Sequence, residues 1–319
     1  MTRPAQTPDA STDPDSAYCE PSGGRRDRHP GRWPGARSPR RGWPARAGIP
    51  CFDDFVESSH HAADATAEGL WRARARLWWV TGRRVGSPRR AAEFIDAVGF
   101  ALLFPAANVP APSLWEAVAG DEAEPFASGM GASEQKVWAW KDELPRRGQA
   151  WYGRFVGNRG SFLSPAMLAS LYPGDGDVAD HASLPLSQHA HEIASALIAG
   201  PLPSDVLRAG VGRGHYQRAV TELQKSLLVT TAGVQENRTG WPSAVLDLTC
   251  RRFHVGGQRD HRLATERFVQ TMVETTPKEL RQCFGWPAAQ ARSQLEALVA
   301  AGAAERTADR YQATSPAAR

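Results

Sequence analysis

The sequence is short of nearly everything that announces chemistry. Its four cysteines, Cys19, Cys51, Cys250 and Cys283, stand singly with no CxxC spacing. That excludes a zinc cluster and a disulfide framework and predicts free thiols in a reducing compartment. No apolar run approaches the about 18–20 residues that span a bilayer, and the polar, proline-rich start does not read as a signal peptide. A soluble, cytoplasmic, nucleoid-associated protein is expected. GxSxG, HExxH, the P-loop and GxGxxG are all missing, so serine-hydrolase, metalloprotease and nucleotide-binding chemistries lose their usual carriers. His189 and His191 lie two apart on an expected helix and so do not share a face as metal ligands would. No metal, no cofactor and no membrane contact are expected.

Charge is also less plentiful than the total of +4 suggests. Residues 1–50 carry nine Arg against five acids, residues 51–184 thirteen bases against seventeen acids, and residues 185–319 sixteen against twelve. The globular remainder is therefore neutral, with a basic C-terminal part compatible with phosphate contact. Residues 1–50 are rich in Pro, Gly, Arg and Ser and poor in aliphatic side chains. They cannot offset ordering entropy and read as a disordered tail. Arg interleaved with Trp33 and Trp43 also suits a nucleic-acid-binding arm.

What is present is helix punctuation. In residues 260–313, Phe268, Val269, Met272 and Val273 recur at helical spacing. Thr276-Pro277-Lys278-Glu279 is a capping box with Pro at the first helical position. Leu280, Cys283 and Phe284 face inward before Gly285, and a third helix from Pro287 buries Ala291, Leu295, Leu298 and Val299 up to Gly302. Ala304 to Gln312 closes as a hairpin. This order is that of a winged helix. Residues 185–255 repeat it: a helix capped by Ser187, a short helix from Ser204 to Gly210 with Val206 and Leu207, a helix over 214–226, and two strands around the loop 235–240. The expected fold is mainly α with small β hairpins (α+β), in tandem winged helices.

Upstream, residues 68–173 read as a winged-helix-like domain. Leu70, Trp71, Ala73, Leu77 and Trp78 predict the inner face of one helix, and Ala92, Ile95, Ala97 and Val98 that of the next. Val137-Trp138-Ala139-Trp140 and Ala150-Trp151-Tyr152-Gly153-Arg154-Phe155-Val156 alternate about Arg146-Arg147-Gly148, which predicts a Trp-rich β-hairpin. At its end Asp142 and Glu143 are either ion-paired with Lys141 or carboxylates for proton transfer in an aromatic pocket.

The third helix of the second unit offers Arg213, His215, Gln217, Arg218 and Lys225. Its loop offers Arg238, and Arg251 and Arg252 follow. The last unit offers Gln290, Arg292, Ser293 and Gln294, with Arg306 and Arg310 on its hairpin. Arg and Gln make bidentate contacts to guanine and adenine edges. Polar outer faces also suit any solvated helix or a protein-contact module.

The segments EFIDAVGFALLFP (Glu93–Pro105), PSLWEAV (Pro112–Val118), WAWKDELP (Trp138–Pro145) and WYGRFVGNRGSF (Trp151–Phe162), with the two C-terminal winged helices, resemble the AlkZ-like winged-helix proteins. These are relatives of bacterial DNA glycosylases that unhook interstrand crosslinks, and the likeness covers about residues 68–312. It implies tandem winged helices cradling duplex DNA. It also implies a Gln-aliphatic-Gln or Gln-aliphatic-Asp motif that activates water. Here the matching segment reads Leu102-Leu103-Phe104-Pro105-Ala106, without Gln or carboxylate. The expectation is a protein that binds duplex DNA, plain or damaged, without catalysis. A DNA glycosylase using Asp142 or Glu143 and a winged-helix scaffold for a protein partner are the alternatives.

Overall fold

The computed structural model describes residues 67–120, 125–127, 129–236 and 242–314; the tail 1–50 and Arg238 lie outside them. After helical residues 67–77 (α1), one topology runs three times. The first pass is α2 (Pro88–Val98), β1 (Phe100–Leu102), α3 (Leu114–Ala119), α4 (Ala132–Arg146), β2 (Trp151–Arg154) and β3 (Gly160–Leu163). After α5 (Pro165–Leu171), the second is α6 (Gln188–Leu197), β4 (Leu202–Pro203), α7 (Ser204–Val211), α8 (Arg213–Lys225), β5 (Val229–Gln235) and β6 (Ser243–Leu248). After α9 (Thr249–Arg252), the third is α10 (His261–Met272), β7 (Glu274–Thr275), α11 (Pro277–Phe284), α12 (Ala288–Ala300), β8 (Ala304–Thr307) and β9 (Arg310–Ala313). Each pass makes a three-stranded antiparallel sheet, ordered β1-β3-β2, β4-β6-β5 and β7-β9-β8. The short strand after the first helix always pairs with the second hairpin strand, as in Phe100↔Leu163, Leu202↔Leu246 and Glu274↔Gln312. The fold is mixed helix and small antiparallel sheet.

Helix starts follow local chemistry. Ser87, Ser113, Ser164 and Thr276 each accept a hydrogen bond from a first-turn backbone N–H, and Asp260 accepts two. Each such cap is worth about 1 kcal/mol. Thr276 and Glu279 form the full capping box, and Gly285 ends α11 in the left-handed region at φ 70°. Ser187 precedes α6 without capping it through its side chain. Its hydroxyl instead donates to Glu222 on α8 at 2.5 Å.

Three expectations give way. The Trp-rich hairpin is absent: residues 132–146 are helical, and β2 pairs with β3 instead. Val137, Trp140 and Leu144 are spaced i, i+3, i+7 and all three are buried. That helical stripe overrides the local Trp-Ala-Trp alternation. In α1, Trp71 and Leu77 are exposed, while Ala75 is buried together with Trp78 and Trp79 of the turn that follows. The true stripe lies one step around the helix. Ala97 and Val206 are likewise exposed.

The first repeat is fastened to both others. Phe100 stacks on Phe268 with ring centroids 5.4 Å apart, and Phe284 meets them edge-on at 5.6 and 5.2 Å. The Trp151 Nε1–H donates to Thr249 Oγ1 at 3.1 Å. The Thr230 hydroxyl accepts from the Tyr152 N–H and donates to the Tyr152 carbonyl. Helix α1 straps the third repeat: Trp78 Nε1–H donates to Thr271 O at 2.8 Å, and Arg74 donates to Met272 O at 2.9 Å and Glu274 O at 2.7 Å. Arg74→Ala leaves those carbonyls without their donors and should cost about 2–3 kcal/mol, with little recovered by Lys, which lacks the guanidinium fork. Urea unfolding checks this; a loss under about 0.5 kcal/mol, the scale of an ordinary surface change, contradicts it.

Candidate nucleic-acid interface

Helix α8 is set by a buried stripe of Tyr216, Ala219, Val220 and Leu223. This is a 3, 4, 7 pattern that turns the intervening positions outward. Arg213, His215, Gln217, Arg218 and Lys225 are accordingly all exposed. Gly212, at φ 83°, both ends α7 and opens α8, so the two helices meet at a sharp corner that a side chain there would strain. Among the described residues, Arg213, Arg218 and Lys225 have no carboxylate partner. The acid on α8 nearest them, Glu222, is taken by the Ser187 N–H at 2.8 Å and the Ser187 hydroxyl. His215 stacks flat on His189, centroids 4.0 Å apart and planes 6° apart, so one ring face is occupied.

Among the described residues, all but one of the other sequence-predicted cations are spoken for. Arg251 and Arg252 donate to the two carboxylate oxygens of Asp247, at 2.8 and 2.9 Å. Asp247 is only 2% exposed. Arg251 also donates to the carbonyls of Leu197 and Ile198 at the end of α6. A buried carboxylate needs such partners, and two guanidiniums held this way have a structural task. Arg306 pairs with Glu296 at 2.7 Å, and Arg310 with Glu274. On α12, Arg292 is exposed and unpaired among the described residues, whereas Gln290 is engaged with His261 at 3.0 Å.

Arg154 was not singled out by sequence, yet the structure brings it to α8. Its backbone N–H donates to Gln224 Oε1 at 3.1 Å, and its side chain is exposed. Arg159, also exposed, closes the same hairpin, and neither Arg has a carboxylate partner among the described residues. The only sequence signal was two arginines flanking a Gly-Asn turn.

Asp142 and Glu143 lie on α4, not on a strand, so Trp138 and Lys141 share a face at i, i+3. Lys141 Nζ sits 4.7 Å from the Trp138 ring centre and 2.6 Å from Asp142 Oδ2. Asp142 is mostly buried, and its Oδ1 has no hydrogen-bond partner. Burial pushes its carboxyl pKa up, against the opposing pull of Lys141. Glu143 pairs with Arg147 at 2.6 Å.

At Leu102–Ala106, Leu102 and Leu103 are buried, and their backbone N–H groups donate to Pro112 O and Gly160 O, both at 2.8 Å. Phe104 packs on Phe126, 4.8 Å between centroids. No side chain there can hold or activate water. Glu116 stands close by in sequence order, on α3, accepting from the Ser113 hydroxyl at 2.6 Å, and burial raises its pKa. A carboxyl whose folded pKa lies above its unfolded value stabilises at low pH and loses that contribution as pH rises through the folded value. Glu116→Gln should therefore gain stability relative to the parent chain between about pH 4 and about pH 7. Urea midpoints at the two pH values check this, and a constant gap contradicts it.

Among the described residues, no helix is long and apolar enough to cross a membrane, and no group of three or more His, Cys, Asp or Glu is placed to hold a metal ion. No curated protein and no solved structure matches the chain. A profile of the family described as AlkZ-related matches residues 85–284, more than half of the 319. The match takes in the first two repeats and the third as far as the end of α11, and on it the chain belongs to the AlkZ-related family.

Proposed function

We propose that the three repeats are winged helices, spanning residues 68–173, 185–255 and 260–313, and that the protein binds duplex DNA, plain or damaged, without cleaving it. The observation that carries this reading is α8. In each repeat the third helix is the one available to lie in a major groove. Among the described residues α8 presents three exposed, unpaired cations, Arg213, Arg218 and Lys225, together with Gln217, against Lys136 and Arg146 on α4. Helix α4 is packed under β5, and α12 offers a single unpaired Arg292. Arg154 and Arg159 extend the cationic surface beside α8 and suit phosphate contacts, which fix register while α8 reads base edges. Membership of a DNA-repair-related family points the same way. No metal, cofactor or membrane enters this reading, which sits best with a nucleoid-associated protein of the cytoplasm.

The absence of hydrolysis follows from Leu102-Leu103-Phe104-Pro105-Ala106, where the family's water-activating amides or carboxylates have no counterpart. One observation favours a second reading, a DNA glycosylase: Asp142 keeps an unpartnered, desolvated oxygen and a raised pKa, as a general base requires. Release of an alkylated base, lost in Asp142→Asn, would support it.

Binding through several phosphates predicts an affinity for a short duplex that falls steeply with salt, log Kd being linear in log salt. Removing Arg213 and Arg218 together should weaken binding at least tenfold, about 1.4 kcal/mol, and flatten the slope by about two ions. Fluorescence anisotropy of residues 51–319 isolates this from the arginines of the tail. No binding at low salt contradicts the DNA reading and turns attention to a protein partner.

A further inference from the structure

Helix α1 carries more apolar surface than its contact with the third repeat covers. Arg74 on α1 and Trp78 just after it hold that repeat through hydrogen bonds to Thr271, Met272 and Glu274. Leu70, Ala73 and Leu77 recur at the i, i+3, i+7 spacing of a second stripe, turned away from the first. Nothing among the described residues seals it: Leu70 and Ala73 are half-buried, and Leu77 is 37% exposed.

Ala73 and Leu77 form one side of an open cleft whose other side is the turn after α1, with Trp79, Thr81 and Gly82. The rim is cationic. Arg76 and Arg83 line the cleft and Arg84 follows; all three are exposed, and none has a carboxylate partner among the described residues. Arg83 lies over the Trp79 ring, 5.2 Å from its centre, a cation–π contact that keeps the guanidinium at the cleft. The flanking acids do not neutralise this set. Glu68 is taken by Arg72, and Glu93 by Arg89 and Arg90.

An apolar wall beneath unneutralised guanidiniums selects a segment that mixes apolar and acidic side chains. The chain supplies one. In Phe52-Asp53-Asp54-Phe55-Val56-Glu57, which lies outside the described residues, Phe52, Phe55 and Val56 have the i, i+3, i+4 spacing of groove-binding anchors. The other three residues are acids, and there is no base. Nine residues, 58–66, join this segment to α1. Helix α1 is about 16 Å long, and nine extended residues reach about 30 Å, so the segment can double back along the helix to the cleft. So short a tether also favours it over the same segment of a second molecule, because the effective concentration is in the millimolar range. We propose that residues 52–57 dock in this cleft, with Phe52 and Phe55 on Ala73 and Leu77 and with Asp53 and Asp54 toward Arg76 and Arg83. Docking covers the open stripe of α1 and neutralises its arginines, and it stands whether or not the protein binds DNA.

Native Cys51, next to the segment, is the probe. In the full chain, Thr81→Cys places a second thiol in the cleft. Arg72→Cys places one on another face of α1, nearer to Cys51 along the chain. An undocked tether would link Cys51 to position 72 at least as readily as to position 81. Docking predicts that mild oxidation gives about tenfold more of the 51–81 disulfide than of the 51–72 disulfide, read by peptide mass mapping of the monomer. Arg76→Glu with Arg83→Glu should remove that excess, and adding Asp53→Arg with Asp54→Arg should restore it. Phe52→Ala with Phe55→Ala should also remove it while leaving the cleft itself unaltered. Equal yields at the two positions overturn the proposal, as does an excess that survives the phenylalanine substitutions. So does a 51–81 disulfide that forms only between two molecules, which would give the cleft to a second copy.

Discussion

Phe100, Phe268 and Phe284 meet in one aromatic junction, and the arrangement of the molecule depends on it. Phe100 and Phe268 are wholly buried and Phe284 nearly so. Burial of each ring stabilises by about 1.5–3 kcal/mol, and each ring–ring contact adds about 0.5–1.5. The Phe268–Phe284 contact lies within the third repeat, but both contacts of Phe100 cross from the first repeat to the third. The junction therefore couples the first repeat to the third. Phe284 also meets Phe155 and Trp286, with ring centroids 5.9 and 5.3 Å away.

A second constraint sorts the arginines. Asp247, Glu274, Glu279 and Glu296 each draw a guanidinium into the structure, and those cations have lost most of their capacity to meet phosphate. Glu222 on α8 is satisfied by Ser187, and it leaves Arg213 and Arg218 unpaired. Net charge is nearly uninformative here. What distinguishes the α8 surface is which cations the carboxylates do not reach.

Much of the architecture was legible in the sequence because its signals are local. The Thr276–Glu279 box and the glycine at 285 act within one helical turn and hold in the structure. The Trp138–Trp140 stretch misled because a three-residue alternation was weighed above the Val137, Trp140, Leu144 stripe that β5 and α3 cover. Trp71 and Leu77 misled because apolar residues need not be inside; the packed face of α1 was decided by where Trp78 and Arg74 find the carbonyls of the third repeat. The fates of Arg251, Arg252 and Arg154 were illegible for the same reason. Whether an arginine is spent or free depends on partners fixed by tertiary contact, as with the hydrogen bond between Arg154 and Gln224, seventy positions away.

On the proposed function, α8 and not α4 or α12 is the helix that meets DNA. Amide hydrogen exchange of the full chain, with and without a saturating short duplex, tests it most directly. New protection should concentrate over residues 212–226 and the 154–159 hairpin, with α12 nearly unchanged. Protection that appears over α12 and spares α8 would contradict it.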